Sequence, residues 1–82
     1  MGIKREEERE RFVAVEPRTE RRYVIVRSVQ IHDASTFGRP NKEREGLDIY
    51  RTTGGLDVNR VSKTEFDVLD PVRGRVRVVR KP

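Results

Sequence analysis

From Leu47 to the C-terminus, turn residues interrupt the chain every few positions, and no segment between them is long enough for a stable helix. Thr53-Gly54-Gly55, Ser62-Lys63-Thr64 and Asp70-Pro71-Val72-Arg73-Gly74 separate four short runs, Leu47–Thr52, Leu56–Val61, Glu65–Leu69 and Arg75–Arg80. An isolated helix shorter than about 12 residues is marginal in water. Short runs between Gly- and Pro-containing turns are instead what hairpins require. The apolar side chains agree: twelve Val and four Ile stand against three Leu. β-Branched side chains lose little in a strand and crowd the preceding turn of a helix.

The turns also set a register. A three-residue turn at Thr53–Gly55 places Tyr50 opposite Val58, Arg51 opposite Asp57 and Asp48 opposite Arg60. A similar turn at Ser62–Thr64 sets Val58 beside Val68. One face then reads Tyr50, Leu56, Val58, Phe66, Val68, Val76 and Val78, and it is expected to be buried. The other carries Arg51, Asp57, Asn59, Glu65, Asp67, Arg75 and Arg77, with Leu47, Val61, Leu69 and Val79 as apolar exceptions.

Upstream, Arg22–Ile31 alternates as a strand, with Tyr23, Ile25, Val29 and Ile31 on one face and Val24 and Val26 on the other. Residues 32–46 form a long polar stretch whose apolar members are Ala34 and Phe37, read as a loop. Every residue from Lys4 to Arg11 is charged. With no apolar stripe, residues 1–20 read as a charged, transiently helical N-terminal tail with a short strand at 12–15, ended by Glu16-Pro17.

The expected fold is therefore all-β: one domain over residues 21–80, a small five-stranded barrel-like antiparallel meander. A first strand, a long loop and four strands in tight hairpins is the connectivity of SH3-like small barrels. The acidic-aromatic motif that marks SH3 domains is absent, so the analogy concerns fold alone. An OB-like barrel is the alternative, weakened by the lack of a helix between its third and fourth strands.

Composition narrows the function. The 82 residues suffice for one small domain, and no apolar run is longer than the four residues of Phe12–Val15. A membrane span needs about 20 apolar residues. No apolar stretch follows the N-terminal basic residues as a secretory signal requires, and there is no Cys, so the cytoplasm is the default compartment. His32 is the only histidine, which leaves Ser28, Ser35 and Ser62 without a base at a recognisable spacing and excludes a two-His metal set. Glu65 and Asp67 face arginines across the hairpin, which keeps them ionised and unsuited to acid chemistry. Gly54-Gly55 precedes no helix and is a turn, not a phosphate cradle. No catalytic residue, metal or cofactor is expected.

What remains is a non-catalytic interaction module. The first expectation is a protein partner, held by the long loop through Phe37, Arg39 and Arg44 and by the sheet edges. The alternative is nucleic acid or another polyanion. Net charge is +5, and residues 71–82 carry five basic residues and no acidic one: Arg73, Arg75, Arg77, Arg80 and Lys81. Arg39 and Lys42 in the loop add to that set. Glu65 and Asp67 share a face with Arg75 and Arg77 and are expected to neutralise them, whereas Arg73, Arg80 and Lys81 escape that pairing. Tyr23, Tyr50 and Phe66 lie on faces expected to be buried, which leaves Phe37 alone to stack on a base.

Overall fold

A computed structural model of the chain describes the backbone of residues 3–33 and 43–81. Six strands run β1 (Ile3–Val15), β2 (Arg22–Asp33), β3 (Glu43–Thr52), β4 (Asp57–Arg60), β5 (Glu65–Asp70) and β6 (Gly74–Arg80). Each is antiparallel to the next, and β1 returns to β6 to close a barrel in sequence order. The all-β meander is as the sequence predicts, with six strands in place of five.

The extra strand is β1. Residues 3–15 are not a frayed tail with a strand at 12–15; the whole segment pairs with β2, from Ile3 opposite His32 to Val15 opposite Arg22. The register shifts between Glu8 and Glu10, so that Arg9 forms a bulge. Beyond it Glu10, Phe12 and Ala14 face the barrel interior opposite Arg27, Ile25 and Tyr23. The domain therefore begins well before residue 21. Of the segment expected as a loop over residues 32–46, residues 32–33 and 43–46 are strand. β2 continues to Asp33 and β3 starts at Glu43.

The downstream register holds. Tyr50 lies opposite Val58, Arg51 opposite Asp57 and Val58 opposite Val68. The ladder between β3 and β4 stops there, so Asp48 does not reach Arg60 and meets Arg27 of β2 instead, at 3.3 Å. The core is the expected face plus β1: Phe12, Ala14, Ile25, Val58, Phe66, Val68, Val76 and Val78, with Tyr23, Tyr50 and Leu56 against it. Phe66 is its hub, with ring centroids 5.1 Å from Phe12 and 5.3 Å from Tyr50. Gly74 at φ 78° and Gly55 at φ 91° make the turns that other residues would strain.

Closure is local. β1 pairs with β6 only at Ala14–Arg80 and Val15–Val79, and β3 with β4 only at Tyr50 and Arg51. Above these points β1, β2 and β3 continue as a three-stranded arm, which gives the molecule extents of 55 × 27 × 18 Å. Its radius of gyration is 15.6 Å, against about 12 Å expected for a compact chain of this length.

Candidate interaction surface

The C-terminal strand is heavily neutralised. Arg75 and Arg77 point outward as expected, with Glu65 and Asp67 beside them. Arg77 Nε donates to Asp67 Oδ1 at 2.5 Å, and its Nη1 lies 3.3 Å from Glu65 Oε2. Asp67 was expected in solvent but is buried, at 5% exposure, which the arginine pairing makes tolerable. Its hydrogen bond is the main reason the Arg77 guanidinium titrates above its usual value. Arg75 is further away, 3.8 Å from Asp67, with 70% of its side chain exposed.

Arg73 and Arg80 escape Glu65 and Asp67 only to meet other carboxylates. Arg80 Nη2 donates to Glu10 at 2.7 Å, and its guanidinium carbon stands 4.3 Å from the Phe12 ring centroid. Arg27 reaches the same Glu10 at 3.4 Å and Asp48 at 3.3 Å. These four charged groups cover the barrel mouth where β1 leaves β6. The Arg80 hydrogen bond, with Arg27 adding to it, holds the Glu10 carboxyl below its ordinary value. At the opposite end Arg73 donates to Glu16 at 2.8 Å and to the Tyr23 hydroxyl at 2.9 Å. Glu16 also accepts from Thr19 Oγ1 at 2.5 Å; that bond and the Arg73 contact lower its pKa. Of the five C-terminal basic residues, Lys81 alone is without a carboxylate partner among the described residues.

Arg44 sits on β3 opposite His32, exposed and unpaired among the described residues. Phe37, Arg39 and Lys42 lie outside the described residues. The structure engages groups that the sequence left unassigned: Glu10 with Arg27 at one end and Glu16 at the other. For the two glutamates the signal was present, because Glu10 and Glu16 continue the alternation of Phe12 and Ala14.

More distinctive than any side-chain cluster are the open sheet edges. Among the described residues, the backbone of β1 has a partner on one side only over residues 3–13, except where Lys81 N–H donates to the Val13 carbonyl at 2.9 Å. Among the same residues β3 lacks a second neighbour over residues 43–49, and β6 lacks one over residues 74–78. The arm's inner face carries Val29 and Ile31, both 4% exposed, although the barrel core ends below them. Their cross-strand neighbours are Glu7 and Asp48 for Val29, and Arg5 and Glu45 for Ile31. Ion pairs of Arg5 with Glu7 at 2.6 Å, Arg9 with Glu7 at 3.3 Å and Arg9 with Glu45 tie these side chains into a roof. Their aliphatic stems shield the two apolar residues while the charged heads stay in water.

Among the described residues no group of three or more His, Asp or Glu side chains is placed to hold a metal ion, and no helix is long and apolar enough to cross a membrane. Compared with known proteins, the chain matches no family model, no curated protein and no solved structure.

Proposed function

We propose that this protein is a non-catalytic interaction module that binds a protein partner through its sheet edges. One observation carries the reading: among the described residues, the backbone of β1 over residues 3–13 is hydrogen-bonded to β2 and, on its other edge, only at Val13. An open strand edge presents a row of backbone donors and acceptors that an extended segment of another protein completes. The charged side chains along β1 discourage unselective edge-to-edge pairing, so a partner must match them. The polyanion alternative is the weaker one, because Arg73, Arg77 and Arg80 are already engaged by carboxylates. A phosphate backbone would have to displace those partners before gaining the arginines.

The test is affinity capture with the full chain, followed by hydrogen exchange on the purified complex. Slowed exchange concentrated in residues 3–13, with little change in affinity between low and physiological salt, supports the reading. Protection that spares the open edges of β1, β3 and β6 overturns it. So does a backbone amide titration in which short nucleic acids give salt-sensitive shifts at residues 71–82.

A further inference from the structure

We infer that the seam between the β1–β2 turn and the lower half of β6 is a docking slot for an extended acidic peptide, which adds to β6 as a short strand. This rests on the interaction-module reading and names a second edge and the chemistry of its partner. The slot starts at Pro17. β1 ends at Val15, and Glu16-Pro17 turns the chain away, so nothing continues the β1–β6 ladder below Val15–Val79. Parity then fixes which backbone groups are left open. Arg80 N–H donates to Thr64 on the β5 side, while Lys81 N–H donates to Val13 on the β1 side. Alternation along the strand turns the N–H and C=O of Arg75 and Arg77 toward the seam, where β1 offers no partner.

That seam is a cavity of about 370 Å³, lined by Glu16, Pro17, Arg18, Arg75, Val76 and Arg77. Its upper limit is the Val15–Val79 pair and its lower limit the Glu16–Arg73 ion pair. Pro17 has no N–H to offer across it. Charge identifies the occupant. Among the described residues Arg18 has no ion-pair partner, and Arg75 is mostly exposed with Asp67 no nearer than 3.8 Å. The one acidic lining residue, Glu16, is already bound to Thr19 and Arg73. Arg77 is held by Asp67 and Glu65, so the cations left for a ligand are Arg75 and Arg18, which both line the seam. An extended segment with acidic residues at alternate positions, about 7 Å apart, therefore completes the backbone ladder at Arg75 and Arg77 and sets carboxylates beside Arg75 and Arg18.

The experiment is a backbone amide titration of the full chain with a capped Glu-Val-Glu-Val-Glu peptide. A capped Lys-Val-Lys-Val-Lys peptide and inorganic phosphate serve as controls. Shifts confined to residues 15–18 and 74–79 with the acidic peptide, and absent with both controls, are expected. Arg75→Pro removes the seam-facing N–H and leaves the β5 ladder intact, since that donor points away from β5. It should abolish binding, while Arg75→Ala and Arg18→Ala each weaken it about two- to fivefold. Amide dispersion reports whether each variant is folded; if Arg75→Pro is not, the Arg18→Ala, Arg75→Ala double variant, which strands no buried carboxylate, should weaken binding by about four- to 25-fold, the product of the single effects. No shift with the acidic peptide, an equal response to phosphate, binding that survives in folded Arg75→Pro, or binding unchanged in the double variant overturns the slot. Shifts along residues 3–13 instead would overturn the slot yet leave the interaction-module reading standing.

Discussion

Replacing Phe66 by Leu tests whether the barrel is held at its aromatic centre. Phe66 is 2% exposed and touches two other rings, Phe12 at 5.1 Å and Tyr50 at 5.3 Å between centroids. Leu restores most of the apolar area but neither ring contact. Each aromatic pair contributes about 0.5–1.5 kcal/mol beyond burial, so the two together predict a loss of about 1–3 kcal/mol. A chain of this length has a total stability of about 4–12 kcal/mol. Urea denaturation of so small a protein has a slope of about 1 kcal/mol per molar, so the midpoint should fall by about 1–3 M with the slope unchanged. Phe66→Ala removes the burial as well and should cost about 3–5 kcal/mol, enough to unfold a marginal barrel.

Two controls make the number interpretable. Leu47 is 79% exposed, and Leu47→Ala should stay within about 0.5 kcal/mol of the wild type. Phe12→Leu with Phe66→Leu closes a double-mutant cycle whose coupling should be about 0.5–1.5 kcal/mol, the value of the lost ring pair alone. A Phe66→Leu midpoint indistinguishable from that of Leu47→Ala would refute the placement of Phe66. A null coupling would refute its contact with Phe12, and with it the packing of β1 onto the barrel.

Three further expectations follow from particular contacts. Glu10 and Glu16 have lowered carboxyl pKa values, so the stability they contribute is present above the unfolded value of about 4.3 and lost as pH falls through the folded values. The urea midpoint should drop on acidification below about pH 5, and Glu10→Gln with Glu16→Gln should flatten that dependence. A Cβ at Gly46 would stand 2.5 Å from His32 Nε2 and 2.7 Å from its Cδ2. These are the outer atoms of a half-buried ring that can swing aside. Gly46→Ala should therefore cost at most about 1 kcal/mol by urea unfolding. A larger loss that His32→Ala recovers would show the ring to be held in place. Arg77→Ala strands the buried Asp67 carboxylate, whereas Asp67→Ala frees an arginine that is half in solvent. The arginine variant should be the less stable of the two, and equal midpoints would argue that Arg75 takes over the pairing.

The barrel half of the fold was legible because each hairpin carries its own instructions. Turn residues bracket runs with period-2 apolar alternation, and slipping the register by one residue would turn Val58, Phe66 and Val76 outward. Tyr50 opposite Val58 and Val58 opposite Val68 follow from turn length alone. The arm was not legible because its information is non-local. The stretch from Lys4 to Arg11 contains no apolar residue, and its strand exists only because β2 supplies Val29 and Ile31 to be covered. The charge pairing shows the same division. Arg77 with Asp67 could be read from hairpin parity, ten residues apart. Arg80 with Glu10 and Arg73 with Glu16, 70 and 57 residues apart, needed barrel closure first.

Closure also explains why so basic a C-terminal strand has few cations to offer a polyanion. In a meander, β6 would be an edge strand and its arginines would face water. Bringing β1 alongside delivers a segment whose apolar run, Phe12–Val15, lies between Glu10 and Glu16, and these two glutamates flank the junction at Ala14 and Val15. The two outermost C-terminal arginines that looked free in the sequence thus become ties across the seam, one at each end. Between these ties the backbone ladder is short, and below Val15 it is missing. Side-chain ion pairs here take a place that backbone hydrogen bonds hold elsewhere in the barrel. Such ties are weaker than a ladder where they meet solvent, and salt screens them. The β1–β6 seam should accordingly open before the β5–β6 hairpin does. In native-state hydrogen exchange Lys81 N–H, which crosses the seam to Val13, should exchange faster than Arg80 N–H, which faces Thr64. Raising the salt concentration should widen that difference. Equal rates would mean that the barrel opens as a single unit.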